Sequence, residues 1–216
     1  MRTALLLPAL ALLAAPVAVA GGSAATADAS NASDNATRVY RAQLDELNDS
    51  GAHGVAKLRL QGRTLNITIK ASGLAPNLVH AQHIHGIGNS ECPPPSAAGT
   101  DGILSTADGL PFYGPIVTSL TTSGDTSPAA GLTIELMPVA DGNGDIRYKR
   151  TIELPADVAA DLDAFQIVQH GVDFNNNSAY DFSVGASELN AAFPQEATAP
   201  ANCGTIAHQH DASHQH

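Results

Sequence analysis

The residues of this chain best able to do chemistry gather in two short stretches. The first is His80-Ala81-Gln82-His83-Ile84-His85-Gly86, and the second, far along the chain, is Val168-Gln169-His170-Gly171-Val172-Asp173. His83 and His85 are two residues apart, so on a β-strand both imidazoles leave the same face. A third imidazole from a neighbouring strand would complete three neutral nitrogen donors around one open position. That donor set suits copper or zinc. Taken alone, an H-x-H pair is more often a hydrogen-bonded surface feature than a ligand pair. The rest of this chain favours ligation.

The elements that must position these residues read almost wholly as strands. Segments 38–44, 55–60 and 64–72 alternate apolar and polar residues, with a tight turn at Gln61-Gly62-Arg63 between the last two. Further strands are expected over 79–85, 115–122, 132–137, 146–154, 165–172 and 202–206. Asp141-Gly142-Asn143-Gly144-Asp145 reads as a turn, and 156–164 as one or two helical turns. Segment 90–114, with Pro93-Pro94-Pro95 and several glycines, reads as a long loop of the kind that usually carries function. Many short strands separated by glycine-rich turns imply an antiparallel sandwich or barrel.

Both ends of the chain read differently from its middle. Met1-Arg2, an apolar run over 4–19 and Ala18-Val19-Ala20-Gly21 have the form of a secretory signal peptide cleaved after Ala20. The run is short for a membrane span and no basic stop-transfer follows. The expectation is a secreted or extracytoplasmic protein of the periplasm or cell envelope, not membrane-spanning. Residues 21–37 lack large apolar side chains and read as a disordered spacer. The folded domain is then 38–206. Residues 207–216 read as a disordered tail in which His208/His210 and His214/His216 form two H-x-H pairs. Such a tract is either an accessory, loose metal site or simply solvated.

Export changes how the two cysteines read. Cys92 and Cys203 are the only pair, and an oxidising compartment favours one disulfide between them. Closing so long a loop is worth about 4–5 kcal/mol in the chain-entropy model. A net charge of −11 argues against a nucleic-acid partner. No lysine or arginine lies between Lys70 and Arg147, and none follows Arg150. Two calcium-like stretches, 141–152 and 173–184, lack the glycine and the bidentate glutamate such a loop requires, and read as turns. No serine sits in a nucleophile-elbow context, so a hydrolase reading has no support.

The order of these features resembles the copper/zinc superoxide dismutase family. Gly73-Leu74 precedes His80-x-x-His83-x-His85-Gly86, a cysteine follows in the next loop, and Gln166-Ile167-Val168-Gln169-His170-Gly171-Val172-Asp173 is similar to the family's late histidine strand. Cys203-Gly204-Thr205-Ile206 resembles its closing strand. The chain also resembles the chordin-type (CHRD) domains, which share a His-Ile-His-Gly turn. The resemblance implies an all-β, antiparallel Greek-key barrel or sandwich of the dismutase type, with long loops and the Cys92–Cys203 disulfide. It makes His83, His85 and His170 copper ligands, His80 a structural histidine behind them, and Asp173 a residue that steadies the site from outside the ligands.

The departures from that family are equally informative. Its zinc site needs histidines between the first pair and the late one, and this chain has none between His85 and His170. Asp125 alone cannot build a tetrahedral zinc site, so zinc is not expected there. The arginine that draws superoxide to copper is replaced by Pro200, and the acidic loop 171–202 has no Lys or Arg. Such a field slows an approaching anion.

Three readings follow. One is an exported copper-binding protein with superoxide dismutation weak or lost. Another is a copper-only superoxide dismutase, and the third a non-catalytic CHRD-like interaction module. The oligomeric state is not readable.

Overall fold

The computed structural model describes residues 36–209. The expected signal peptide and the part of the expected spacer before Ala36 lie outside those residues. Nine strands form one antiparallel sheet curled around a core: β1 (Thr37–Glu46), β2 (His53–Gln61), β3 (Thr64–Ser72), β4 (Gln82–His85), β5 (Ile116–Ser119), β6 (Ile146–Glu153), β7 (Gln166–His170), β8 (Pro200–Thr205) and β9 (Ala207–His208). Their spatial order is β5-β4-β7-β8-β1-β2-β3-β6, with β9 added to β1. After the meander β1–β3 the chain crosses to β4, returns to β3 with β6, and crosses again to β4 with β7. These long returns make the connectivity Greek-key, so the expected fold class is the one observed.

The first half of the sheet follows from its alternation. In β2 and β3 every second side chain is buried: Ala56, Leu58 and Leu60 face Leu65, Ile67 and Ile69 in the core. The register is held by the Gly62 turn, with Gln61 paired to Thr64. In the second half, β4 and β7 are buried at every position, so both faces of those strands are covered. Ile84 and Ile167 point into the main core. The opposite face lies beneath the long loops.

Three expectations for local structure need correction. Segment 132–137 is not a strand: Leu132 ends one 3-10 turn, Pro128–Leu132, and Ile134–Leu136 form another. Pro128 fixes the entry into the first turn. The N–H groups of Thr133, Leu136 and Met137 then bond carbonyls three residues back rather than a neighbouring strand.

The long loop 90–114 contains a helix, α1 (Thr106–Tyr113). A capping box between Ser105 and Asp108 starts it. Finally, the tail is not free from residue 207. Ala207 and His208 pair with Arg41 and Tyr40, and the Gln209 N–H donates to Val39 O at 2.8 Å. A strand edge recruits backbone regardless of side-chain polarity, which is why composition gave no hint of it.

Cys92 and Cys203 are bonded, with Cα atoms 5.8 Å apart. Around them a second small core collects Leu47, Leu104, Tyr113 and Val168. The bridge thereby fastens the loop bearing α1 to the outer face of β7 and β8. That is the face from which the three histidines project.

Candidate metal centre

His83 and His85 leave one face of β4, and His170 leaves the same face of β7, where a bulge after Gln169 ends the regular pairing. One ring nitrogen from each lies within 4.8 Å of the others. Ring centroids are 5.5 Å apart for His83 and His85, 5.3 Å for His83 and His170, and 5.7 Å for His85 and His170. All three rings are buried.

Each ring is pinned by one backbone carbonyl. His83 Nε2–H donates to Gly131 O at 3.0 Å, His85 Nδ1–H to Gly114 O at 2.8 Å, and His170 Nδ1–H to Thr198 O at 2.8 Å. A carbonyl only accepts, so each bonded nitrogen carries the proton and the other keeps a bare lone pair. Those other nitrogens, His83 Nδ1, His85 Nε2 and His170 Nε2, are buried and have no hydrogen-bond partner. Orphaned buried polar atoms are uncommon and costly. Three together, all lone-pair donors on adjacent rings, fit a metal ion.

Protonation is disfavoured throughout. Burial pushes His83 well below its ordinary value, with the neighbouring His170 and His85 adding to the effect. Burial, then His170, brings His85 down to about 3. Burial brings His170 to about 4, and only the Thr198 carbonyl opposes it. At neutral pH all three imidazoles are therefore neutral, the form that ligates.

The carbonyls come from three separate loops, each with a local cause. Gly114 caps α1 at φ +77°, where a side chain would run into Gly86 O at 1.9 Å. Tyr113, one residue earlier, packs on His85 with centroids 4.6 Å apart. Gly131 lies in the 3-10 turn that replaced the expected strand. Thr198 ends the short helix α3 (Gln195–Thr198), after α2 (Ala156–Ala160), and its carbonyl also accepts from the Thr106 hydroxyl. The Ser105 hydroxyl donates to Glu188, tying two of these loops together.

Register is fixed from the core side. Asn202 Nδ2 donates to Gln169 Oε1, Gln169 Nε2 to Gln82 Oε1, and Gln82 Nε2 to Leu120 O, at 2.8–3.0 Å. The three amides are register partners across β8, β7 and β4. A one-residue slip would carry the histidines to the core face, and this ladder opposes it. Sequence reasoning missed the ladder. The available signal was a glutamine immediately before each ligand strand's first histidine, Gln82 before His83 and Gln169 before His170.

The other expected residues divide. His80 is fully buried behind the cluster, with Nδ1 2.9 Å from His170 O and Nε2 3.0 Å from Ala75 O. A neutral ring donates to only one of these, and the Tyr180 hydroxyl, 3.3 and 3.4 Å from its two nitrogens, can donate to the other. Gly171, at φ +107°, leaves room for that tyrosine, since a Cβ there would come 2.2 Å from its oxygen.

Asp173 does not touch the histidines. Its carboxylate accepts from the N–H groups of Asn177 and Ser178, and the orienting task expected of it falls to the three carbonyls. Asp125 is exposed and bonds Ser127, closing its own turn. His208 packs edge-on against Tyr40 and is not in the three-histidine cluster. His210, His214 and His216 lie outside the described residues.

The cluster opens to a cleft of about 380 Å³. Its walls include Leu110, Pro115, Ile116, Pro128, Leu132 and Leu189, and no charged residue lines it. No described helix is long and apolar enough to cross a membrane.

Neither a protein-family model nor a curated protein sequence matches the chain. Among solved structures, Candida albicans superoxide dismutase 5 in its Cu(II) form is similar at 13% identity and a TM-score of 0.44, over 83% of this chain and 97% of that one.

Proposed function

We propose that this chain is an exported copper-binding protein in which His83, His85 and His170 hold the ion and superoxide dismutation is weak or lost. One observation carries the reading: three buried imidazole nitrogens, each on a ring whose other nitrogen is fixed by a carbonyl, converge with no partner of their own. An all-imidazole set without carboxylate or thiolate suits copper or zinc, and the likeness of these motifs to the dismutase copper strands favours copper. When bound, copper would supply one-electron redox chemistry beside an open position.

What the chain's own residues do is bind and shield. The carbonyls of Gly114, Gly131 and Thr198 hold the rings in the ligating tautomer, as outer partners of metal-bound histidines do. The apolar cleft walls limit water at the site. No lysine or arginine in the cleft draws an anion inward, and the net charge of −11 repels one. Fast capture of superoxide is therefore not expected.

The test is metal content of the mature chain, residues 21–216, after loading and desalting. The reading expects one copper per chain, lost in His83→Ala and His170→Ala, with dismutation far below the diffusional range. Fast dismutation would convert the reading to a copper-only dismutase. No retained metal would leave an interaction module.

A further inference from the structure

The basic residues of this acidic chain are not scattered. Arg41, Lys57, Arg59, Lys70, Arg147 and Lys149, six of ten, are exposed on the outer face of β1, β2, β3 and β6. The register places Arg41 opposite Lys57, Lys57 opposite Thr68, and Thr68 opposite Lys149 in one row across the strands. In the next row Lys70 stands opposite Arg147. No acidic residue lies in either row. Acidic side chains on these strands keep to the ends, at Asp45, Glu46 and Glu153.

Like charges directly opposite destabilise a sheet, and among the described residues Asp141, beside Arg147 at the sheet's end, is the acidic side chain that offsets one of them. Lys57, Arg59, Lys70 and Lys149 make no hydrogen bond or ion pair among the described residues, where Arg63–Glu153 is the one salt bridge. By contrast, Arg38, Arg63 and Arg150, which lie off this array, each bond a backbone carbonyl. Arg41, Lys57 and Lys70 ring a shallow depression of about 440 Å³ floored by Gly54 and Val55.

The neighbours of these cations indicate the partner. Thr68, Asn66, Thr151 and Gln43 stand between or beside them, offering hydroxyl and amide groups. The face has no Phe, Tyr or Trp on which a base could stack. The exposed large apolar residues Ile87, Leu132, Val139, Phe182 and Leu189 all lie elsewhere, so nothing here anchors in a bilayer. Cations interleaved with hydrogen-bonding groups on an open sheet match a polymer that is both anionic and hydroxyl-rich. We propose that this face binds a linear acidic polysaccharide, its carboxylate or sulfate groups seated between the strands. The proposal is independent of the metal site.

The experiment measures binding of the mature full chain to polygalacturonate and dextran sulfate, with uncharged dextran, phosphatidylserine vesicles and oligo(dT) alongside. Expected is saturable binding to the two acidic polymers alone, weakening as salt rises. The combined variant K57S/K70S/K149S should bind at least tenfold more weakly, with a log–log salt slope lower by roughly two. The matching Lys→Arg variant should bind as the parent does, and both variants should keep the parent's circular dichroism spectrum. Absence of binding to both polymers overturns the proposal. So does unchanged binding by the serine variant, or tighter binding to vesicles or oligo(dT).

Discussion

The two halves of the sheet use the same pleat in opposite ways. In β1, β2, β3 and β6 one face packs on the core and the other meets water, so burial alternates along each strand. In β4 and β7 the second face is roofed by loops, and polar side chains sit there as deeply buried as the leucines. The open half is held by apolar burial and tolerates unpaired cations outside. The roofed half pairs most of its buried polar atoms, and those left without a hydrogen-bond partner are Thr118 Oγ1, Gln166 Oε1 and Asn202 Oδ1 beside the three converging ring nitrogens. Where a sheet is solvated on one side it displays charge, and where it is covered on both sides it can hold an ion.

Substitutions should separate the halves. Leu58→Ala, fully buried in the open half, is expected to cost roughly 2–5 kcal/mol in denaturant unfolding while copper affinity stays as in the parent. A loss of metal there would mean the halves are not independent. Gln169→Leu acts in the roofed half, leaving the Gln82 carbonyl and an Asn202 donor unpaired. It is expected to cost about 1–3 kcal/mol and also to lower copper affinity, since the ladder joins the strands that bear the three histidines. Equal copper affinity in that variant would remove the ladder's positioning role.

Acid should act on the roofed half. The folded-state pKa values of His85 and His170, about 3 and 4, lie below the ordinary value of 6.5, so the unfolded chain binds more protons between those limits. The stability these residues contribute is present above pH 6.5 and lost as pH falls through that window. Each contributes a slope of about 1.4 kcal/mol per pH unit. Unfolding of the metal-free protein from pH 7 to 4 checks this, and His85→Phe should flatten the slope. The smallest effect belongs to the open face, where Lys57→Ser should change stability by no more than about 0.5 kcal/mol.

The same contrast explains what was readable in the sequence. Alternation placed β1, β2 and β3 to within two residues at each end, because a half-solvated strand writes its burial in its side chains. The H-x-H pair and the late His-Gly marked the strands that bear the three clustered histidines, since their spacing already places the rings on one face. The roof was not legible. Segment 132–137 has the apolar content of a strand, yet Pro128 and local hydrogen bonds turn it. The helix α1 was hidden in a loop rich in glycine and proline, although Ser105 and Asp108 carry the capping-box spacing. Asp173 was placed beside the histidines by resemblance, whereas backbone carbonyls, which no side-chain pattern announces, orient the rings. The pairing of β9 with β1 likewise depends on backbone alone.

The most direct test of the three-histidine centre is long-range ¹H–¹⁵N correlation of the histidine side chains in the metal-free protein at pH 7, followed by one equivalent of Cu(I). Expected is a proton on Nε2 of His83 and on Nδ1 of His85 and His170, with His83 Nδ1, His85 Nε2 and His170 Nε2 shifting together on addition. Tautomers averaging freely, or a metal that leaves those three nitrogens unmoved, would contradict that expectation.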